Sequence, residues 1–275
     1  MKILVTGGTV FVSRYAAEYF VKGGHEVYVL NRNTKPQVDG VRLIECDRHD
    51  IGERLKGYSF DAVIDVTAYS AGDVDLLLDG LADFDDYILI SSSAVYPETL
   101  EIPFKVGDRC GANSFWGAYG MNKIAAENAL LKRVPGAYVV RPPYIYGEYN
   151  NVYREAFVFD CAERNAPFYL PQKGKMPLQF FHVEDLCKFI EALLELRPAR
   201  KIFNVGNKPV TVKEWVTDCY SAVGKIPNFI EVPGEIEQRN YFPFYNYAYA
   251  LDTTAQNEIL TDPIPLGKGL RRAYK

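Results

Sequence analysis

The sequence predicts an α/β protein: a Rossmann-type, doubly wound parallel sheet followed by a smaller C-terminal α/β substrate lobe. Three observations carry that expectation. The chain opens on an apolar run (residues 3–5), the turn Thr6-Gly7-Gly8-Thr9, and an amphipathic stretch with Tyr15, Ala16, Tyr19 and Phe20. This is the strand–turn–helix order of a nucleotide-binding unit. Further apolar runs recur with helix-length segments between them, which implies parallel strands joined by right-handed crossovers. Near Asn150 the rhythm changes. The expected division is therefore a dinucleotide-binding domain over residues 1–150 and a smaller lobe over 151–275, interleaved with the first.

The glycine turn lets the backbone pass close to a pyrophosphate, while the following helix aims its free N–H groups at the anion. Gly7, Gly8, Thr9, Val10, Phe11 and Val12 are the expected contacts there. With Gly7 as the first glycine of a spaced G-x-x-G-x-x-G, Val10 and Ser13 occupy the other two positions. Val10 therefore adds a side chain where glycine would let the chain come closest. Gly23-Gly24 ends the helix and residues 26–30 form a second strand. An acidic residue at its end would bond the ribose of NAD; a basic one suits the phosphate of NADP. Asn31 and Arg32 stand there, so NADP is slightly preferred over NAD, the other reading being that Arg32 lies in a solvated loop. A third strand, 41–45, leads to Asp47, which either reaches the adenine amino group or caps the segment near Asp50. A fourth, 61–66, ends in Val66-Thr67-Ala68, small enough for a cofactor to lie across. Leu76, Leu77, Leu78 and Leu81 mark a helix, and residues 86–90 a fifth strand.

That fifth strand delivers Ser91-Ser92-Ser93, and after a Pro- and Gly-rich loop (97–116) comes Tyr119-Gly-Met-Asn-Lys123, opening a helix. Spacing of four puts the phenol and the ammonium on one helical face. A phenol ordinarily titrates near ~10; the Lys123 cation and an oxidised nicotinamide would lower that value. Tyr119 could then exchange a proton with a substrate hydroxyl while hydride moves at the same carbon. Ser92, or its neighbour Ser93, would hold the oxygen, and Lys123 would anchor the nicotinamide ribose.

In the second lobe, helices are expected over 154–165 and 183–196 and a short strand over 167–170. His182 is read as a cap or a bridge between lobes rather than a ligand. The run from Arg239 to Tyr247 is unusually aromatic. Arg239 with these rings could clasp a nucleotide-sugar, but packing of the lobe explains the same residues and is preferred.

Composition narrows the function classes. A net charge of −4 supplies no field for nucleic acid or an anionic membrane. No apolar run approaches the ~20 residues a membrane span needs, and Lys2-Ile3-Leu4 leads straight into a strand, so no signal peptide is expected. The five cysteines are odd in number and lack a C-x-x-C pair, which supports neither a disulfide framework nor a zinc site; no metal is expected. A cytoplasmic protein is the expectation.

Taken together, TGGTVFVS, Asp47, DVTA from Asp65, SSSAVY, YGMNKIAAENAL, RPPYIYG from Arg141, FFHVEDL from Phe180 and FNVGN from Phe203 resemble the extended short-chain dehydrogenase/reductase family. The resemblance is to its NAD-dependent epimerase/dehydratase branch. It implies catalysis by Ser92, Tyr119 and Lys123, with Pro142 and Pro143 beside the nicotinamide and Tyr144 and Ser93 facing a nucleotide-sugar or similar carbinol. Ser91 would lie on the cofactor side. Family dehydratases carry an acidic pair where Ser93-Ala94 stand, so epimerisation or reduction is favoured over loss of water. The turn is closest to atypical members, some of them thought to bind RNA or to lack activity, so a regulatory or RNA-associated protein is the alternative. Helix faces around 71–82 and 119–133 could pair two subunits.

Overall fold

The computed structural model describes residues 1–232 and 235–274. The first half supplies β1 (Lys2–Thr6), α1 (Phe11–Lys22), β2 (Glu26–Asn31), β3 (Arg42–Glu45), β4 (Ser59–Asp65), α2 (Ala71–Gly80), β5 (Asp83–Ile90), α3 (Ala118–Arg133) and β6 (Tyr138–Arg141). From the second half come β7 (Tyr144–Tyr146), α4 (Glu155–Glu163), β8 (Phe168–Leu170), β9 (Pro177–Leu178), β10 (Phe180–His182), α5 (Val183–Leu196) and β11 (Ile202–Asn204). The chain finishes with β12 (Val210–Thr211), α6 (Val212–Ala222), β13 (Phe229–Glu231), α7 (Thr254–Asn257) and α8 (Leu266–Ala273).

Seven strands pair in the order β11-β6-β5-β4-β1-β2-β3, and every pairing is parallel. This is the doubly wound sheet the sequence predicts. Strand order reverses between β1 and β4, which opens a crevice at their C-terminal tips. Alternation along the strands sorts the two faces. Ile3 and Val5 join Phe20 of α1 and Phe189 of α5 in one core, while Leu4 and Val63 join Leu77 of α2 and Leu130 of α3 in the other. Because β11 and α5 complete the first half's sheet, the chain crosses back after residue 150 and no single cut separates the lobes.

Several element boundaries differ from the sequence reading by one to three residues, β4 running over Ser59–Asp65 and α4 over Glu155–Glu163 among them, and two have a visible cause. The helix marked by four leucines begins at Ala71, because the Ser70 hydroxyl accepts the Asp73 N–H and caps it; Leu81 lies just beyond its end. β5 starts at Asp83, three residues earlier than the expected strand, because the residues at its N-terminal end are carried into it by pairing with β4.

The second lobe is built on aromatic packing. Trp215 of α6 stacks on Phe180 at 5.3 Å and meets Phe244 edge-on at 5.1 Å. Phe242 and Phe244 are both buried in this cluster, so the aromatic run near residue 242 is core. His182 is fully buried and caps α5, its Nδ1 accepting the Glu184 N–H at 3.1 Å. Burial lowers its pKa to about 4, so the ring is neutral, as that acceptor role requires. Replacing the central ring, Trp215→Ala, should cost about 3–5 kcal/mol, read as an earlier urea midpoint at unchanged slope; a midpoint within error of wild type would remove Trp215 from the core of this lobe.

Candidate active site

The crevice is shaped first by the glycine turn. Gly7 and Gly8 adopt φ of +92° and +97°, and a Cβ on Gly8 would stand 2.5 Å from Val29 Cγ1 of β2. Glycine is therefore required at Gly8 by both backbone and space. The Asn31 amide donates to the Gly7 carbonyl at 2.6 Å and clamps the turn from the end of β2. Val10, by contrast, has an extended backbone (φ −135°) and tolerates a side chain; it precedes α1 without supplying a side-chain cap. The first N–H groups of α1 are left for an anion at this end.

Two cavities meet at this turn. The inner one, about 460 Å³, and the outer one, about 640 Å³, share Val10, Ser13, Thr67 and Tyr69. An elongated, two-chambered cleft pinched at a helix N-terminus fits a dinucleotide, one nucleoside on either side of its pyrophosphate. The outer chamber is walled by Gly7, Thr9, Asn31, Arg32 and Asp47. Asp47 Oδ1 accepts the His49 N–H at 2.9 Å, and that bond, helped by the charges of His49 and Arg32, holds its pKa below the usual range. Its other oxygen lies 3.9 Å from Arg32. Asp47 therefore caps a turn and lines the cavity at once.

Beneath this chamber lies a buried network that sequence reasoning missed. Arg48 donates to both oxygens of Asp65 (3.1 and 3.2 Å), to the Thr67 hydroxyl (2.7 Å) and to the Asp73 carbonyl (2.8 Å). Asp65 also accepts from Thr6 and Tyr87. The Thr6 hydroxyl in turn accepts the N–H groups of Val66 and Thr67. Asp65 thus fixes the tips of β1 and β4, where the cofactor would lie, and makes no contact with the cavity itself. A basic residue directly after Asp47 was the only available signal.

In the inner chamber the strand tip and α3 come together. A Cβ on Gly120 would run into the Ala94 carbonyl, so glycine next to Tyr119 lets α3 press against the turn that follows Ser92. Ser92, Tyr119 and Lys123 line one wall, with Val66, Ser91, Pro142 and Pro143 near them. Phe11 and Val12 of α1 also line this chamber, as do Ser93 and Tyr144. Two expected cofactor contacts do not line either chamber: Gly8 packs on Val29, and Ala68 is buried, offering only its carbonyl.

Lys123 lines this chamber and also has a structural role that the sequence reading did not include. Its ammonium is buried and donates to the carbonyls of Ala68 (2.7 Å) and Ile90 (2.9 Å), tying α3 to the tips of β4 and β5. Burial lowers its pKa to about 8, with Asp65 and Glu127 pulling it back up. Tyr119, 38% exposed, is raised above the ordinary phenol by burial, with the Ser92 hydroxyl and the Arg154 charge opposing. Burial of the phenol thus outweighs the Ser92 and Arg154 contributions that would favour the phenolate. One turn further along α3, buried Glu127 accepts from Ser91 and holds Arg141 in a two-point pair at 3.0 and 2.6 Å. Arg239 is corrected too. Its guanidinium donates to the carbonyls of Phe242 and Pro243 and sits 5.0 Å from the Tyr245 ring, outside the cleft. Trp116, Arg154 and Tyr249 line the cleft instead; Trp116 and Tyr249 come from loops, where no periodicity marks them, and Arg154, expected inside a helix, is the residue just before α4.

Comparison with known proteins agrees with this geometry. The family model for the NAD dependent epimerase/dehydratase family matches residues 3–79 and 76–206. The chain belongs to this family. Among curated relatives it is 28% identical over 299 residues to chloroplast stem-loop binding protein of 41 kDa b from Arabidopsis thaliana, covering 99% of this chain and 78% of that one. It is 25% identical over 250 residues to 2'-dehydrokanamycin reductase from Streptomyces kanamyceticus, covering 86% and 70%. Among solved structures, a putative epimerase from Burkholderia cenocepacia J2315 superposes with a TM-score of 0.81 at 21% identity, covering 99% and 96%. UDP-glucuronic acid 4-epimerase from Bacillus cereus, in complex with NAD, gives 0.76 at 17% identity, covering 100% and 95%. At such identities the structural matches establish a shared family fold. No helix among the described residues is long and apolar enough to cross a membrane.

The lysine carries a testable sign. Above about pH 8 the folded protein has shed a proton that the unfolded chain keeps until about 10.5. The unfolded state binds more protons in that window, so the penalty of burying Lys123 shrinks as pH rises through it. Urea unfolding should show the stability of wild type relative to Lys123→Met increasing between pH 8 and 10, by up to about 3 kcal/mol; a difference independent of pH would mean that Lys123 titrates normally.

Proposed function

We propose that the protein is an NAD(P)-dependent epimerase or reductase acting on a nucleotide-sugar or similar carbinol. The observation that carries this reading is the grouping of Tyr119, Ser92 and Lys123 in the inner chamber, joined at the glycine turn to a second chamber of nucleoside size. A nicotinamide cofactor held across the turn supplies hydride exchange at its C4. Tyr119 takes the proton of the substrate hydroxyl as the carbinol is oxidised and returns it on reduction. The Ser92 hydroxyl donates to the reacting oxygen. Lys123 sets the position of α3, and hence of Tyr119, and Pro142 and Pro143 offer a flat wall at the inner end. Return of hydride to the opposite face would give an epimer; a single transfer from the reduced cofactor to a carbonyl substrate, with Tyr119 donating the proton, would be a reduction.

The nucleotide-sugar reading is supported by the family and by the UDP-sugar epimerases that share the fold. Arg32, with no carboxylate at the end of β2, favours NADP, whereas several structural neighbours hold NAD. The stem-loop binding relative favours a second reading, an RNA-associated protein. A net charge of −4 weighs against it, and the enzyme is the conclusion.

Tyr119→Phe should lower kcat on UDP-glucose or UDP-glucuronic acid by about 10²–10⁴-fold while cofactor Kd stays unchanged; full turnover in the variant would take Tyr119 out of the mechanism. In fluorescence titrations NADPH should bind more tightly than NADH. Arg32→Ala should weaken NADPH alone by about tenfold, near 1.4 kcal/mol, and a wild-type preference for NADH would refute the role given to Arg32.

A further inference from the structure

The residues lining the inner chamber include two cations and no carboxylate. Lys123 is spent on two carbonyls. Arg154, just before α4, is different: among the described residues its guanidinium has no ion-pair or hydrogen-bond partner. It rests instead on aromatic faces, 4.6 Å from the centroid of Tyr144 and 5.8 Å from that of Phe244. Its backbone is held by a bond from its own N–H to the Val152 carbonyl at 2.8 Å. The adjacent carboxylate of Glu155 is buried and turned away, accepting from the Asn150 amide at 2.8 Å and from the Gly147 N–H.

A partly buried guanidinium with no anion has lost solvation that the ring faces only partly replace. The same stacking holds the planar fork in place before any ligand arrives, so less side-chain entropy is lost on binding. The chemistry that complements such a fork is an oxyanion able to take two parallel N–H bonds. Walls of Trp116, Tyr144 and Tyr249 raise the strength of that contact by excluding water. We propose that Arg154 is the anion subsite of the substrate cleft, holding a phosphate or carboxylate of the substrate while its carbinol faces Tyr119. The orientation rests on the carbinol chemistry proposed above; the anion preference does not. The Arg154 charge also bears on the Tyr119 phenol and draws its pKa down against burial, so the subsite and the acid/base share one electrostatic environment.

Calorimetric titration of the full chain, with NADPH or NADH saturating so that the glycine turn is filled, tests this with inorganic pyrophosphate, UDP-glucose and UDP-glucuronic acid. Arg154→Met should weaken the ligands that wild type binds by at least tenfold, with cofactor Kd within twofold. Parallel loss for all three ligands puts a phosphate at Arg154; loss for UDP-glucuronic acid alone puts its carboxylate there. Pyrophosphate binding that depends on Arg154 in a protein that ignores both sugar nucleotides would keep the subsite and remove the nucleotide-sugar reading. Equal affinities in variant and wild type, a matching loss of cofactor affinity, or no binding of any of the three by wild type would overturn the proposal.

Discussion

One buried ammonium holds the sheet and α3 in register around the cleft. Lys123 lies between the carbonyls of Ala68, three residues past the end of β4, and Ile90, the last residue of β5. A helix turn earlier is Tyr119 and a turn later Glu127, so the same face of α3 carries the phenol, the ammonium and a buried carboxylate. Removing the ammonium would leave two buried acceptors without donors, each expensive in a low-dielectric interior. The cost of keeping a charge there is visible in its lowered pKa, and it is offset by Asp65 on one side and Glu127 on the other.

Those two carboxylates organise separate parts of the cleft. Asp65, with Arg48, Thr6 and Tyr87, fixes the strand tips under the outer chamber. Glu127, with Arg141 and Ser91, fixes the strand tip under the inner one, and Arg141 extends the chain of bonds to Tyr96 at 2.8 Å and from there to Asn204 of β11 at 2.8 Å. Each buried charge is therefore paired and further hydrogen-bonded, which is the condition under which such groups are tolerated and under which they hold a single geometry. The chamber walls inherit that rigidity. Side chains left to meet a ligand, Tyr119 and Arg154, are the ones not absorbed into these networks.

The aromatic lobe closes the inner chamber from the other side. Tyr144 belongs both to its core, 4.6 Å from Phe244, and to the cleft wall. Packing and recognition are thus continuous: the ring that supports Arg154 is itself supported by Phe180 and Phe244. The cleft wall in this lobe is a by-product of how its core is assembled, which explains why a reading of the Arg239–Tyr247 run by composition could not separate packing from lining.

What the sequence determined by itself is what local periodicity and backbone chemistry encode. Apolar runs bounded by turns located the strands, Gly7-Gly8 announced a turn that only glycine can make, and a spacing of four put Tyr119 and Lys123 on one face of a helix. Long-range contacts decided the rest. Whether Lys123 faces a ligand or two carbonyls depends on β4 and β5, over thirty residues away. Arg48 reaches Asp65 across a strand order that no local pattern specifies, Arg239 turns onto the carbonyls of Phe242 and Pro243, and Arg154 enters the cleft from the residue before α4. Side-chain direction in loops, and the pairing of buried charges, follow from which elements the fold brings together, and only the tertiary structure supplies that.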